Sequence, residues 1–234
     1  MQTIYHPAIE RGHANFGWLD TNHSFSFGNF YNPEKMGFGA LRVLNDDFVT
    51  GGKGFDKHPH DNMEIISIPL EGELEHEDSM GNKFVIREND VQIMSAGKGV
   101  FHSEYNKSSD RSVNFLQIWI FPKEKNIEPR YDQKNFDPAD RLNRWQALVS
   151  PDNGDGIMIN QDSWLSRTRI SANSEIKYKF SGDNTGTYFF MIDGKAEIAG
   201  KPLGKRDAIG VWDTNELDIS ILSDADILAI EVPI

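Results

Sequence analysis

The punctuation of this chain limits its fold more than any other feature. Short runs rich in β-branched and aromatic residues alternate with turns bearing glycine, asparagine and aspartate, and no long stretch keeps a helical period. Strands are expected at Leu41–Val49, Met63–Leu70, Phe84–Arg87, Val91–Met94, Val113–Phe121, Tyr188–Ile192, Ala208–Trp212, Leu217–Leu222 and Ile227–Val232. Turn signals stand at Gly51-Gly52, Ser79-Met80-Gly81-Asn82, Asn153-Gly154-Asp155-Gly156 and Asp193-Gly194. Helical turns are expected only around Asp137–Leu142. Many short strands with frequent turns predict an all-β protein built as sandwiches or barrels.

A faint internal repeat divides this pattern in two. In the first half, Ile68-Pro69-Leu70-Glu71-Gly72-Glu73-Leu74-Glu75 leads through a hairpin to Asn89-Asp90-Val91-Gln92-Ile93-Met94. In the second, Met191-Ile192-Asp193-Gly194-Lys195-Ala196-Glu197-Ile198 leads through a shorter hairpin to Arg206-Asp207-Ala208-Ile209-Gly210-Val211. Two similar barrels are therefore expected, over residues 1–132 and 133–234, joined around Lys123–Arg141. Histidine separates the halves, since all seven lie between His6 and His102. In a chain without cysteine, imidazole is the natural transition-metal ligand, so chemistry is expected in the first barrel.

A chain of 234 residues can bury a real core without disulfides or a structural metal. The lack of cysteine excludes disulfides, thiolate ligands and cysteine nucleophiles, and fits a reducing compartment. The N-terminal residues show no signal-peptide pattern, and no apolar run approaches the roughly 20 residues that span a bilayer. A cytoplasmic protein is expected, with no membrane association. With 24 basic against 36 acidic residues, a net charge of −12 and no basic cluster, direct nucleic-acid binding is not expected. Closed barrels leave few strand edges to pair, so a monomer is expected.

Two short motifs carry the chemistry. His58-Pro59-His60 places imidazoles at i and i+2, and His102-Ser103-Glu104 places an imidazole and a carboxylate likewise. On a strand, i and i+2 share a face, so two such pairs on neighbouring strands would converge four ligands on one point. Pro59 cannot donate a ladder hydrogen bond, which places this segment at an edge, a bulge or a strand start. Three imidazoles and one carboxylate would leave a divalent ion about two open positions in an octahedral shell. A single HxH reads more readily as a loop, and a lone histidine as a solvated or core residue. The second pair and the flanking glycines favour the metal.

Those glycines belong to recognisable patterns. Gly52, His58, His60 and Glu64 follow the first cupin motif, G-x5-H-x-H-x3-E, and Gly99, His102 and Asn106 follow the second, G-x2-H-x3-N. Gly72 falls one residue later than the first motif expects, and Gly97 stands where the second usually has proline. Closer still, the chain resembles the pirins and pirin-like bicupins. The likeness runs through Arg11-Gly12-His13, Gly17-Trp18-Leu19, His23-Ser24-Phe25-Ser26-Phe27, Met36-Gly37-Phe38 and Leu41-Arg42-Val43. It continues through Met63-Glu64, His76-Glu77-Asp78 and Met94-Ser95-Ala96-Gly97-Lys98-Gly99, covering residues 10–121.

The resemblance implies a bicupin of two antiparallel, jelly-roll-like barrels, the second without a metal site. It implies that the carboxylate ligand is Glu104, as in pirins, rather than Glu64, as in ordinary cupins. Glu64 shares the parity of His58 and His60 and is expected behind the metal, orienting a ligand imidazole or shuttling a proton. The resident ion would be one divalent transition metal, iron(II) first, with manganese, cobalt, nickel, copper or zinc also suited. Pirin-like proteins include quercetinases, which implies a flavonol-like aromatic substrate and dioxygen, with Glu104 as ligand and general base. Other pirins regulate transcription factors or metabolic enzymes, which implies a protein partner instead. A purely structural metal fits less well, because structural sites are usually closed.

The remaining candidates have plainer roles. His13 and His23 are expected to be hydrogen-bonded packing residues, His76 an exposed residue before a turn, and His6 a terminal residue without function. Phe25, Phe27, Phe30, Tyr31 and Phe38 are expected as core or as a lid, with the wall of a flat substrate as the alternative. Gly97 and Gly99 are expected to permit a tight turn before the ligand strand. Asp207, Asp213 and Glu216 read as solvated turn residues.

Overall fold

The computed structural model describes residues 1–152 and 154–234, so the turn expected at Asn153-Gly154-Asp155-Gly156 lies partly outside the described residues. The strands assemble into two units, each built from a seven-stranded and a four-stranded sheet. One unit comprises Gly12–Gly37 and Leu41–Phe136. Its larger sheet runs, in spatial order, Arg130–Asn135, Asp90–Ser95, Glu64–Glu71, Val113–Ile120, Leu41–Val49, Leu19–His23 and Gly12–Asn15. Its smaller sheet runs Gly54–His60, Val100–Asn106, Glu73–Asp78 and Lys83–Arg87. All these neighbours are antiparallel.

The other unit comprises Met1–Arg11, Phe38–Ala40 and Asp137–Ile234. Its larger sheet runs Gln2–His6, Ala208–Trp212, Thr185–Asp193, Ala225–Pro233, Trp164–Ile170, Gln146–Ser150 and Ile157–Met158. Its smaller sheet runs Ser174–Lys179, Glu216–Ile221, Ala196–Ile198 and Lys201–Leu203. The strand order matches that of the first unit, which gives the sequence repeat its structural meaning. Glu64–Glu71 and Thr185–Asp193 occupy equivalent places, and each is followed by a left-handed glycine, Gly72 at φ 81° and Gly194 at φ 85°.

The division differs from residues 1–132 and 133–234 at the N-terminus. Gln2–His6 pairs with Ala208–Trp212, and Asp207 accepts bonds from Tyr5 Oη and Ala8 N. The first strand therefore completes the second unit's sheet. Nothing local in its sequence names a partner some 200 residues away in the chain. The expected helical turn forms as a short 3-10 segment, Pro138–Arg141, with Asp137 accepting from Ala139 N at its start.

Central strands are buried on both faces and read as near-continuous apolar runs. In Val113–Ile120, Phe115, Leu116, Ile118 and Ile120 are all fully buried, each contributing about 1.5–3 kcal/mol by transfer from water. The second unit encloses an apolar core in which Tyr178, Leu217, Ile219 and Ile221 come from the strand pair equivalent to the histidine-bearing pair of the first. Apolar side chains occupy those places.

Candidate metal centre

The strand Val100–Asn106 alternates in burial, with Val100, His102, Glu104 and Asn106 buried and Phe101, Ser103 and Tyr105 more exposed. It pairs with Gly54–His60 so that His60 opposes Val100 and His58 opposes His102. Opposed residues share a face, which turns all three imidazoles the same way. Gly54–His60 is an edge strand, the position Pro59 requires. Gly54 is needed where it stands, because a Cβ there would come 2.3 Å from the Glu104 carbonyl oxygen. A bulge then makes Glu104 oppose Phe55 rather than Asp56, turning the Phe55 ring toward the same interior. At the other end of the ligand strand Gly97 takes φ 49°, with no room for a Cβ beside the Ile127 carbonyl.

The imidazoles of His58, His60 and His102 each offer a nitrogen, and these three atoms lie within 4.8 Å of one another. Glu104 belongs to a second, overlapping group with His76 and His102, within the same span, and lines the same cavity as the first three. Ser67 Oγ donates to Glu104 Oε1 at 2.9 Å and Gln117 Nε2 donates to Oε2 at 2.7 Å. Those two donors reach across from the larger sheet and hold the carboxylate in place.

The imidazole nitrogens are set up to receive an ion. His58 Nδ1 lies 2.7 Å from the Asp56 carbonyl, which can only accept, so Nδ1 carries the proton and Nε2 keeps its lone pair. His102 Nε2 is buried without a hydrogen-bond partner among the described residues. Burial, reinforced by the neighbouring imidazoles, lowers His60 to about 4 and His102 to about 3, so both are neutral near pH 7. An orphaned buried nitrogen among neutral imidazoles, with a carboxylate nearby, fits a single divalent transition metal.

Behind His102 lies a pair of acid and imidazole, of which His76 was expected to be exposed. His76 is fully buried rather than exposed, because Glu73–Asp78 is an inner strand of the smaller sheet on which His76 opposes Glu104. Its Nε2 lies 3.1 Å from Asp78 Oδ2, and its Nδ1 lies 3.5 Å from His102 Nδ1. Burial works to raise the Asp78 carboxyl, but bonds from Asn82, His76 and Met80 hold it below its ordinary value. An ionised Asp78 accepts from His76 Nε2–H; His76 Nδ1 then accepts from His102 Nδ1–H, and the His102 lone pair is left on Nε2.

Glu64 stands apart from this group, which corrects the expectation that it orients a ligand imidazole. Glu64 would share a face with His58 and His60 only on one unbroken strand, whereas the chain crosses into the larger sheet after Asp61. There Ile65 lines the cavity and Ser67 bonds Glu104, so alternation turns Glu64 to the opposite face, where it accepts from Ser95 Oγ at 2.8 Å.

A cavity of about 240 Å³ opens at the triad and is walled by Phe27, Phe55, Ile65 and Trp119. The Trp119 ring stands edge-on to His60 at 4.9 Å, and its buried Nε1–H has no acceptor among the described residues. Of the N-terminal aromatics, Phe27 and Phe30 line cavities, Phe25 and Phe38 are core, and Tyr31 is exposed. His6 is buried, with its Nδ1 2.9 Å from the Tyr188 hydroxyl oxygen, and Asp207 is a bonded residue rather than a solvated one. Sequence reasoning passed over Ser67, Gln117, Asn45 and Asp47. Their signal was present as polar residues interrupting otherwise apolar strands.

Two units of matched strand order, with clustered donors among the described residues only in the first, make this chain a bicupin. Residues 6–120 match the Pirin family model, and residues 147–232 match the model described as the quercetinase C-terminal cupin domain. The chain belongs to the pirin family. It is 42% identical over 227 residues to quercetin 2,3-dioxygenase of Escherichia coli strain K12, covering 97% of this chain and 96% of that protein. It is 36% identical to a pirin-like protein of Caulobacter vibrioides, over 96% of this chain and 97% of the relative. The crystal structure of the bacterial pirin YhhW from Escherichia coli in complex with nickel(II) superposes with a TM-score of 0.93, at 39% identity and 99% coverage of both chains.

Proposed function

We propose that this protein is a metal-dependent dioxygenase of flavonol-like aromatic compounds, acting in the cytoplasm. The observation that supports it best is one juxtaposition: a convergent imidazole triad, with His102 Nε2 buried and unpartnered, beside an aromatic-walled cavity. His58, His60, His102 and Glu104 would hold the ion. Iron(II) is the first choice, and manganese, cobalt, nickel, copper and zinc suit the same donors. The names of the E. coli relatives, a quercetin 2,3-dioxygenase and a pirin in complex with nickel(II), support the substrate class and a bound metal.

When bound, such an ion lowers the pKa of a hydroxyl placed against it and supports chemistry with dioxygen. The chain's own residues do the rest. Glu104, held by Ser67 and Gln117, is placed to take the substrate's hydroxyl proton. Phe27, Phe55 and Trp119 offer apolar ring surface to a flat substrate and exclude water from the reacting centre. The Trp119 Nε1–H can donate to an oxygen of the bound molecule. A cavity at the triad, in place of a shallow occluded centre, supports catalysis over the alternative of a metal-dependent regulator that binds a protein partner.

The test is anaerobic reconstitution with each of the six ions, followed by oxygen uptake with quercetin. Metal-dependent uptake that is lost in Glu104→Gln is expected. Absence of metal-dependent uptake with every ion would remove the enzymatic reading.

A further inference from the structure

The metal-binding barrel holds a second cavity, of about 420 Å³. It shares Phe27, Asn45, Asp47 and Phe55 with the cavity of about 240 Å³ at the triad, so these four side chains border both volumes. The inner volume alone lies below the roughly 300–1,000 Å³ usual for small-molecule pockets, whereas a molecule that reached past the shared side chains into both cavities would have a volume within that range.

This shared border combines two chemistries. Phe27 stands edge-on to Trp119 at 5.3 Å and also packs on His23, while Phe55 stands edge-on to Trp18 at 5.4 Å. Both rings are thereby fixed by aromatic neighbours. The other two side chains are polar. Asn45 Oδ1 lies 2.8 Å from His23 Nδ1, and Asp47 accepts from Thr21 Oγ1 through Oδ1. No donor among the described residues reaches the second oxygen of Asp47, although the residue is buried. Beyond this border, Phe16, Leu19 and Phe30 give the outer cavity a largely apolar wall.

We propose that the outer cavity is a subsite for the separate aryl ring of a flavonol-like substrate, and that Asp47 selects for hydroxyl groups on that ring. The proposal rests on the dioxygenase reading above and puts the bicyclic core, with its reacting hydroxyl, in the inner cavity. A flat ring is the shape that fits between fixed phenyl edges. A hydroxyl on it can satisfy the open oxygen of Asp47. A ring without hydroxyls strips water from that buried carboxyl and returns nothing, which is how polar sites discriminate most strongly.

Binding can be followed by tryptophan fluorescence quenching on nickel(II)-loaded protein under nitrogen, so that no turnover intrudes. Three probes are compared: quercetin, galangin (the same flavonol without hydroxyls on the separate ring) and 3-hydroxychromone, which has no separate ring. Wild type should bind quercetin about tenfold or more tightly than galangin. Asp47→Leu should abolish that preference, and Asp47→Asn, which keeps a hydrogen-bonding group, should retain part of it. Ala14→Trp, which fills the outer cavity from its wall, should weaken both flavonols about tenfold or more relative to 3-hydroxychromone. A preference that survives in Asp47→Leu, or flavonol binding that ignores Ala14→Trp, overturns the subsite and leaves the dioxygenase reading standing. If wild type binds none of the three probes, the dioxygenase reading itself falls.

Discussion

His76 sets its Nδ1 3.5 Å from the Nδ1 of His102, with both rings buried inside the first barrel. Because Asp78 fixes the proton of His76 on Nε2, this contact determines which nitrogen of His102 is free for a metal. His76→Phe should therefore weaken metal affinity about 10–100-fold, and Asp78→Asn should act in the same direction. Competition against a chromophoric chelator measures this directly. Wild-type affinity in both variants would reduce the pair to packing.

His58 lies half-buried on an edge strand and contributes little to the core. His58→Ala should lose the metal and keep the fold. Metal content after gel filtration, together with a thermal melt, separates the two effects. A variant that binds metal as tightly as wild type would show that His58 is not a ligand.

Asp47 gives a pH signature. Burial raises its carboxyl from 3.8 to about 7; the Thr21 bond opposes this, while Asp46 and Glu104 add to it. Between those values the folded chain holds a proton that the unfolded chain has released, so raising the pH through this window destabilises the fold. Asp47→Asn removes the proton uptake. The variant should gain on wild type, by up to a few kcal/mol, between roughly pH 4 and pH 8. Urea melts of the metal-free proteins test it, and a difference that does not change with pH would contradict the buried, proton-holding carboxyl.

The second barrel carries a structural ion pair. Arg167 Nε and Nη2 each lie 2.7 Å from an oxygen of Asp226, and Arg169 Nε adds a bond at 2.9 Å. Asp226→Ala would strand the buried Arg167 guanidinium, at a cost of about 3–5 kcal/mol. Chemical denaturation should show this loss while metal content per folded chain stays at the wild-type level. A loss below about 1 kcal/mol would mean that Arg169 and water absorb the change.

Much of the site was legible because its signals are local. His58-Pro59-His60 and His102-Ser103-Glu104 needed only strand periodicity to be placed on one face, and Pro59 announced the edge strand on which it lies. Glu64 and His76 were misplaced for one shared reason. Parity assigns a face only within an unbroken strand, and neither the crossing after Asp61 nor the inner position of Glu73–Asp78 is written in neighbouring residues.

The sequence by itself determined that the chain is all-β and repeated, and that its histidines are confined to the first half of the chain. Alternation and turn chemistry act over a few residues and can be read directly. Only the tertiary structure decided that Ser67 and Gln117 hold Glu104, that His76 and Asp78 stand behind His102, and that a bulge aims Phe55 into the cavity. It also joined Asp47 and Thr21 where two cavities share their lining and gave the first strand to the second barrel. Those relationships depend on strand pairing between distant segments, where register and partner are set by how whole faces pack.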